Sequence, residues 1–487
     1  MSGERRLAAV ALAALLGARV SEAQEPVDQA MVARIREEGL QRSRVMETFH
    51  HLTDRIGPRL TGSPGFKRAV DWSAGTLRGY GLGNVQVEAW PFGRGWQLEK
   101  LVVEMVEPWY LPLIGFAEAW SPSTRGELVG TPVYLGGLKD STEVRARASE
   151  LRGRIVLATP PQTQFRVKDR LQPEHDRPVP IGAPAVVNAR GPVSGAALSR
   201  LMREAGAGVV LRPTQGPHGT MFVLGGRNTP PDAAPSIIVA AEHYNLIVRN
   251  LEAGAKVVLR VRLDTRAQTA DTNGYNVLAE IPGTDPRAGS EVVMLGAHLD
   301  SWHSATGAVD NADGSATVIE AMRILQAIGA RPRRTIRMAL WGGEEQGLLG
   351  ARAHAARHYA GEANAAARDR LFVYFNTDPG GGPIYGWYLE ENAAIEPVFD
   401  AWLAPLRDLG ARRNVSARIG NTDHLAFTAL GVPAFNSLQD YVDYDVRIHH
   451  TNMDFVERIR PDDLKQAAIV LAVFVWHAAM REGKLPR

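Results

Sequence analysis

The 487-residue chain contains no cysteine. Disulfides, thiolate metal sites and cysteine nucleophiles are thereby excluded, and any metal must be held by His, Asp or Glu. Nor is there an excess of either charge. Lys plus Arg number 55 against 53 Asp plus Glu, a formal net charge of +2, and no basic block offers a phosphate-binding footprint. Nucleic acid is therefore not an expected partner. Long hydrophobic runs are also missing. The most apolar stretch, Leu7 to Ala18, is shorter than the roughly 20 residues a membrane-spanning helix needs, no other segment is read as approaching that length, and no stable membrane insertion is expected. Repeats and low-complexity tracts are absent.

What is present begins with "MSGERRLAAVALAALLGARVSEAQ", where Arg5 and Arg6 precede the apolar stretch and Ser21 and Ala23 follow it, spaced like a small-x-small cleavage site. This order reads as a secretory signal peptide over residues 1–23, predicting a protein exported to the periplasm or the extracellular space. Residues 27–120 carry a helical period from Val27 to Phe49, a loop and helix starting near Pro64, and the strand "NVQVEAW". From 121 to 261 the texture changes to short apolar strands such as "GRIVLATP" and "GVVLRPT" among Pro- and Gly-rich stretches, with one helix over Gly195 to Ala205. That segment reads as an inserted β-rich domain, because the preceding elements are too few for a core of their own.

Residues 262–487 alternate buried strands ("NVLAEIPG", "EVVMLGA", "TIRMALWG", "RLFVYFN", "VPAFNSL") with helices near Asp313–Ala327, Gln346–Tyr359, Ile395–Leu409 and Asp462–Met480. Continuous apolar strands between helices predict an α/β fold with a mostly parallel central sheet covered on both faces. Ligands of such sheets bind beyond the carboxyl ends of the strands. Those ends carry metal-ligand residues: His298 and Asp300, then Asp310, Glu344 with Glu345, Asp378, and His449 with His450. Singly, each has an ordinary reading as a His satisfied by a nearby Asp, a helix-start acid, a cap or a polar loop. Four strand ends decorated on one rim point instead to a site. Two histidines and three carboxylates suit two divalent ions roughly 3.5 to 4 Å apart, one carboxylate bridging, with imidazole favouring zinc over cobalt or manganese.

The motifs "GAHLDSW", "GAVDNADGS", "ALWGGEEQGLLGA", "NTDPGG", "GNTDHLAF" and "IHHTNMDF", in that order, resemble the co-catalytic zinc exopeptidases: bacterial leucine aminopeptidases, carboxypeptidase Q and glutamate carboxypeptidase II. The likeness is strongest from Gly274 onward, moderate over "GPRLTGSPGFKRA", and looser in the insert, which resembles a protease-associated domain. It implies two zinc ions and a peptide or dipeptide substrate, and it admits a homodimer. His298 and Asp378 would bind one zinc, Glu345 and His450 the other, and Asp310 both. Glu344 would be the general base, Asp300 would orient His298, and the Asp310–Asn311 peptide would be cis. His449 competes with His450 and is set aside because the family's ligand directly precedes the Thr or Ser of this motif. His303 would line the site. Asp423 and His424 would contact substrate or cap a helix, and Tyr441 and Tyr444 would face an oxyanion or pack. A related fold serves glutaminyl cyclases, with one zinc, and non-catalytic ectodomains that have lost ligands. The full set of five ligands sets this chain apart from both. Amino-, carboxy- and dipeptidase directions all remain open from these residues.

Overall fold

The computed structural model describes residues 25–171 and 193–487, so the expected signal peptide lies outside the described residues. Helix α1 (Gln29–Gln41) starts where Asp28 accepts the Met31 N–H. Helix α2 (Pro64–Gly79) has proline in its first turn and Ser63 accepting the Phe66 N–H, which satisfies one of the donors a helix start leaves free. The large sheet has seven strands: β1 (Gly83–Pro91), β2 (Asn273–Ile281), β3 (Val292–His298), β4 (Thr335–Trp341), β5 (Leu371–Asn376), β6 (Gly381–Tyr388) and β7 (Ala434–Asp440). Their spatial order is β1-β2-β4-β3-β5-β7-β6.

The sheet is mixed where a mostly parallel one was expected. The pairs β4–β3, β3–β5 and β5–β7 are parallel, whereas β1–β2, β2–β4 and β6–β7 are antiparallel. A strand buried on both faces is apolar throughout whichever way its neighbours run, so its composition does not report direction. Helix α3 (Asp313–Ala327), helix α4 (Leu349–His358) and helix α5 (Pro461–Met480) belong to the same unit. Contrary to the sequence reading, α5 is long and apolar enough to cross a membrane. It is the one such helix among the described residues, and 83% of its apolar window is buried in the fold, so its hydrophobicity serves the core.

Two smaller sheets arise between β1 and β2. One orders Leu111–Pro112, Gly95–Glu107, Val258–Gln268 and Leu128–Gly130; the other orders Gly115–Ala117, Ser236–Val239, Val209–Pro213, Ile155–Leu157 and Val133–Tyr134. Their strands begin at 95 and end at 268, outside the expected limits of 121 and 261, and besides the expected helix the segment holds Ser141–Ala146, Ala148–Leu151 and Ala241–Glu252, which were not anticipated. Pro91 and Asn273 are cross-strand partners, so the chain leaves the large sheet and re-enters it at adjacent positions. One apolar cluster joins Trp90, Leu60 and Trp302 of the large unit to Phe92, Trp96, Leu157, Leu211 and Val261 of the segment that carries the small sheets.

Candidate metal centre

The parallel strands β3, β4 and β5 deliver their carboxyl ends to one place. His298 is the last residue of β3, and its Nε2 lies 3.2 Å from Asp310 Oδ1 and 3.5 Å from Asp378 Oδ1, just past β5. Glu345, beyond β4, places Oε2 at 2.9 Å from His450 Nε2, which in turn lies 3.6 Å from Asp310 Oδ2. The two oxygens of Asp310 therefore address two different imidazoles. His298, Asp310 and Glu345 offer ligand atoms within 4.8 Å of one another, as do Asp310, His449 and His450. The Asp310–Asn311 peptide is cis. The turn after β4 needs its glycines: Gly343 has φ +70°, and a Cβ on Gly342 would stand 2.5 Å from Phe66 and 2.6 Å from the Tyr275 carbonyl oxygen.

Several residues that sequence reasoning did not single out hold these ends in place. Thr61 Oγ1 donates to Asp300 Oδ2 at 2.9 Å and accepts the Gly343 N–H at 2.9 Å. Asp300 Oδ1 accepts the Glu344 N–H at 3.3 Å. His298 Nδ1 bonds the Asp300 backbone carbonyl at 3.0 Å and lies 3.6 Å from its carboxylate, so Asp300 meets His298 chiefly through its main chain. Arg59 is fully buried, and its guanidinium donates to the carbonyls of Leu299, Thr306 and Gly307 on the loop between β3 and Asp310, as well as to Leu52 and Gly57. Burial lowers its pKa to about 10, so it remains charged. Asp454 accepts the N–H groups of Val309 and Asp310 at 2.7 and 3.1 Å. The only signal for Arg59 and Thr61 was the motif "GPRLTGSPG" that contains them.

Segments connecting the strands of the small sheets brace the His450 loop. Val223 N–H donates to the His450 carbonyl at 3.1 Å, and Asn452 N–H to that of Met221 at 3.1 Å. Asp169 accepts the N–H groups of Asp443, Asp445 and Val446, and Arg170 forks onto Asp445 at 2.8 and 2.7 Å while lying over the rings of Tyr441 and Tyr444. Tyr441 packs, its hydroxyl bonded to that of Tyr388. Tyr444 stacks on His449, and burial, with Asp310 and Asp378 close by, pushes its pKa well above the usual tyrosine range. His303 is held away from the centre: its Nε2–H donates to the Ala117 carbonyl at 2.7 Å and its ring meets Trp96 edge-on. His424 faces Glu390, while the buried Asp423 carboxylate has no hydrogen-bond partner among the described residues.

The donor set fits divalent cations. Asp310 Oδ2 and Glu345 Oε1 are buried without a hydrogen-bond partner among the described residues. Burial pushes the Glu344 and Glu345 carboxyls well above the ordinary range, with neighbouring carboxylates adding to it. Burial works to lower the His298 pKa, yet Asp378, Asp300 and Asp310 together hold it well above 6.5. Among the described residues no arginine or lysine forms an ion pair with Asp310, Glu344, Glu345 or Asp378, and acids gathered this densely are a costly arrangement that cations would offset. The nitrogen and oxygen donors, with no sulfur, suit zinc.

Residues 276–475 match peptidase family M28. The chain is 25% identical to carboxypeptidase Q of Bos taurus over 452 residues, covering 92% of this chain and 88% of that protein. The crystal structure of a peptidase M28 precursor from Shewanella amazonensis superposes with a TM-score of 0.69 at 26% identity, covering 94% of this chain and 98% of the other. A zinc aminopeptidase from Bacillus subtilis, 19% identical, shares the fold with a TM-score of 0.59 over 90% of this chain and 95% of its own.

Proposed function

We propose that this chain is a two-zinc exopeptidase of peptidase family M28 that hydrolyses the terminal bond of peptides or dipeptides. The observation that carries the reading is the Asp310 carboxylate, with Oδ1 at 3.2 Å from His298 Nε2 and Oδ2 at 3.6 Å from His450 Nε2. His298 and Asp378 would hold one zinc and Glu345 and His450 the other, with Asp310 shared. When bound, the pair supplies Lewis acidity toward the scissile carbonyl and lowers the pKa of water.

The chain's own groups do the rest. Glu344 stands beside Glu345 on the turn after β4 and has its pKa raised by burial first and by the Asp378, Asp423 and Glu345 charges after it. These features support Glu344 as the general base that takes a proton from the attacking water and passes it to the leaving amine. Asp300 and Thr61 act as positioning residues, holding the backbone of the turn from which Glu344 projects. The small sheets are read as an inserted domain resembling the protease-associated domain; their contacts with residues 443–452 support a role in shaping the substrate cleft. Residues 1–23 are read as an export signal, on the charge, apolar and small-residue order of the sequence.

Glu344→Gln should leave fold and zinc content intact while lowering turnover at least about 100-fold, the usual weight of a general base. Retained activity would refute the assignment. A panel of N-blocked, C-blocked and free dipeptides and longer peptides, assayed with the zinc-loaded chain, decides the chain end. Cleavage of long, doubly blocked peptides would rule out an exopeptidase.

A further inference from the structure

A second group of metal-ligand side chains lies outside the centre described above. Helix α4 carries His354 and His358 one turn apart, on the same face. Glu88 of β1 meets both: Oε2 is 2.8 Å from His354 Nδ1 and Oε1 is 2.6 Å from His358 Nε2. The imidazole centroids are 4.5 Å apart, and one ligand atom from each of the three residues falls within 4.8 Å of the others. The paired centre contracts in the same manner, with nitrogen-to-oxygen separations of 2.9 to 3.6 Å.

Two of the three groups are fixed in the wall of the fold. The His354 and Glu88 side chains are 3% and 9% exposed, and Asn276 Nδ2 donates to Glu88 Oε2 at 3.1 Å. The third, His358, is 44% exposed, which leaves a path for an ion and room for water as a fourth ligand. Hydrogen bonding alone would satisfy Glu88. Yet each of its oxygens addresses an imidazole nitrogen, and two imidazoles with a carboxylate form a donor set that borderline transition ions prefer to water and that calcium or magnesium does not favour.

We propose that Glu88, His354 and His358 bind a third divalent transition-metal ion, with zinc as the first candidate, at a site separate from the paired centre. The ion would tie α4 to β1 where His354 packs against Trp341, the last residue of β4 before the turn that bears Glu344 and Glu345. Arg357 is the competing cation, 3.1 Å from Glu88 Oε1, bonded also to the Ala89 carbonyl, and 47% exposed. It sets the affinity below that of the paired centre.

The test compares the zinc content of the full chain with that of His358→Ala and Glu88→Gln, each loaded with Zn2+ and freed of loose metal by gel filtration. The wild type should hold one ion more than either variant, and His358→Ala should hydrolyse dipeptides unchanged. Arg357→Gln should bind the extra ion several-fold more tightly in chelator competition. Equal zinc in all three chains overturns the proposal. The readout is a difference between chains, so it is independent of what the paired centre holds. In an Asp310→Asn background, which disables that centre, adding His358→Ala should still remove one ion; no removal also overturns the proposal.

Discussion

Thr61 places one hydroxyl between two elements, donating to the Asp300 carboxylate and accepting the buried Gly343 N–H. Thr61→Val leaves the N–H of the turn without an acceptor, which costs about 1 to 3 kcal/mol. Because that turn aims Glu344, kcat should fall by roughly tenfold, the equivalent of about 1.4 kcal/mol in the barrier, and Thr61→Ser should restore it. Steady-state kinetics on the two variants decide the point, and equal kcat for wild type and Thr61→Val would remove Thr61 from the positioning network. His303 gives a pH prediction. Burial lowers its pKa from 6.5 to about 4, and it donates Nε2–H to Ala117 as a neutral ring. Between those values the unfolded chain binds more protons than the folded one, so stability is present above pH 6.5 and is lost as pH falls toward 4. The His303 contribution to that loss is about 3 kcal/mol by pH 4, from roughly 1.36 kcal/mol per pKa unit. Urea unfolding at several pH values should show a shallower acid decline in His303→Gln, whose neutral amide cannot take the proton.

At the scale of elements, the segment 161–171 acts as a strap on the loop before His450. Asp445 and Arg170 are nearly buried as a pair, and removing the guanidinium leaves an uncompensated carboxylate. Arg170→Leu should therefore cost about 3 to 5 kcal/mol of stability. It should also loosen the His450 loop and weaken one of the two zinc ions by roughly 10- to 100-fold, the usual effect of losing a group that orients a ligand. Chelator competition reads this directly; undiminished affinity for both ions would show that the strap does not act on the centre. The strap was not legible in the sequence, because Arg170 and Asp445 are 275 positions apart and nothing local marks either. What was legible follows from periodicity and strand ends. The helices Gly195–Ala205 and Asp313–Ala327 appear where their patterns put them, and the strand ends carry the acids and histidines that converge. Strand β6, "GGPIYGWY", was missed because glycine-rich segments read as loops, and its pairing with β7 supplies the strand character its residues lack. Direction within the sheet was misjudged for the same kind of reason: it is a property of neighbours, not of the strand.

At the scale of the whole molecule, the two units share a core. Trp90, Leu60 and Trp302 pack in one cluster with Phe92 and the strands of the small sheets, and the His450 loop takes hydrogen bonds from Met221 and Val223. The chain nevertheless leaves and rejoins the large sheet at cross-strand partners, Pro91 and Asn273. A short Gly-Ser turn can therefore replace residues 92–272 without stretching the backbone, since opposed residues of an antiparallel pair lie about 4.5 to 5.5 Å apart. The excised chain keeps all seven strands and every candidate ligand. It loses the apolar cover over Trp90 and Trp302, the brace on residues 443–452 and the His303 contact with Ala117. It should retain native-like circular dichroism but unfold at lower denaturant concentration, hold less zinc at the Glu345 and His450 position, and lose peptidase activity. If zinc content and activity both survived excision, the small sheets would be an accessory to the centre and not part of its support, and neither Val223 nor Arg170 would be a brace for the His450 loop.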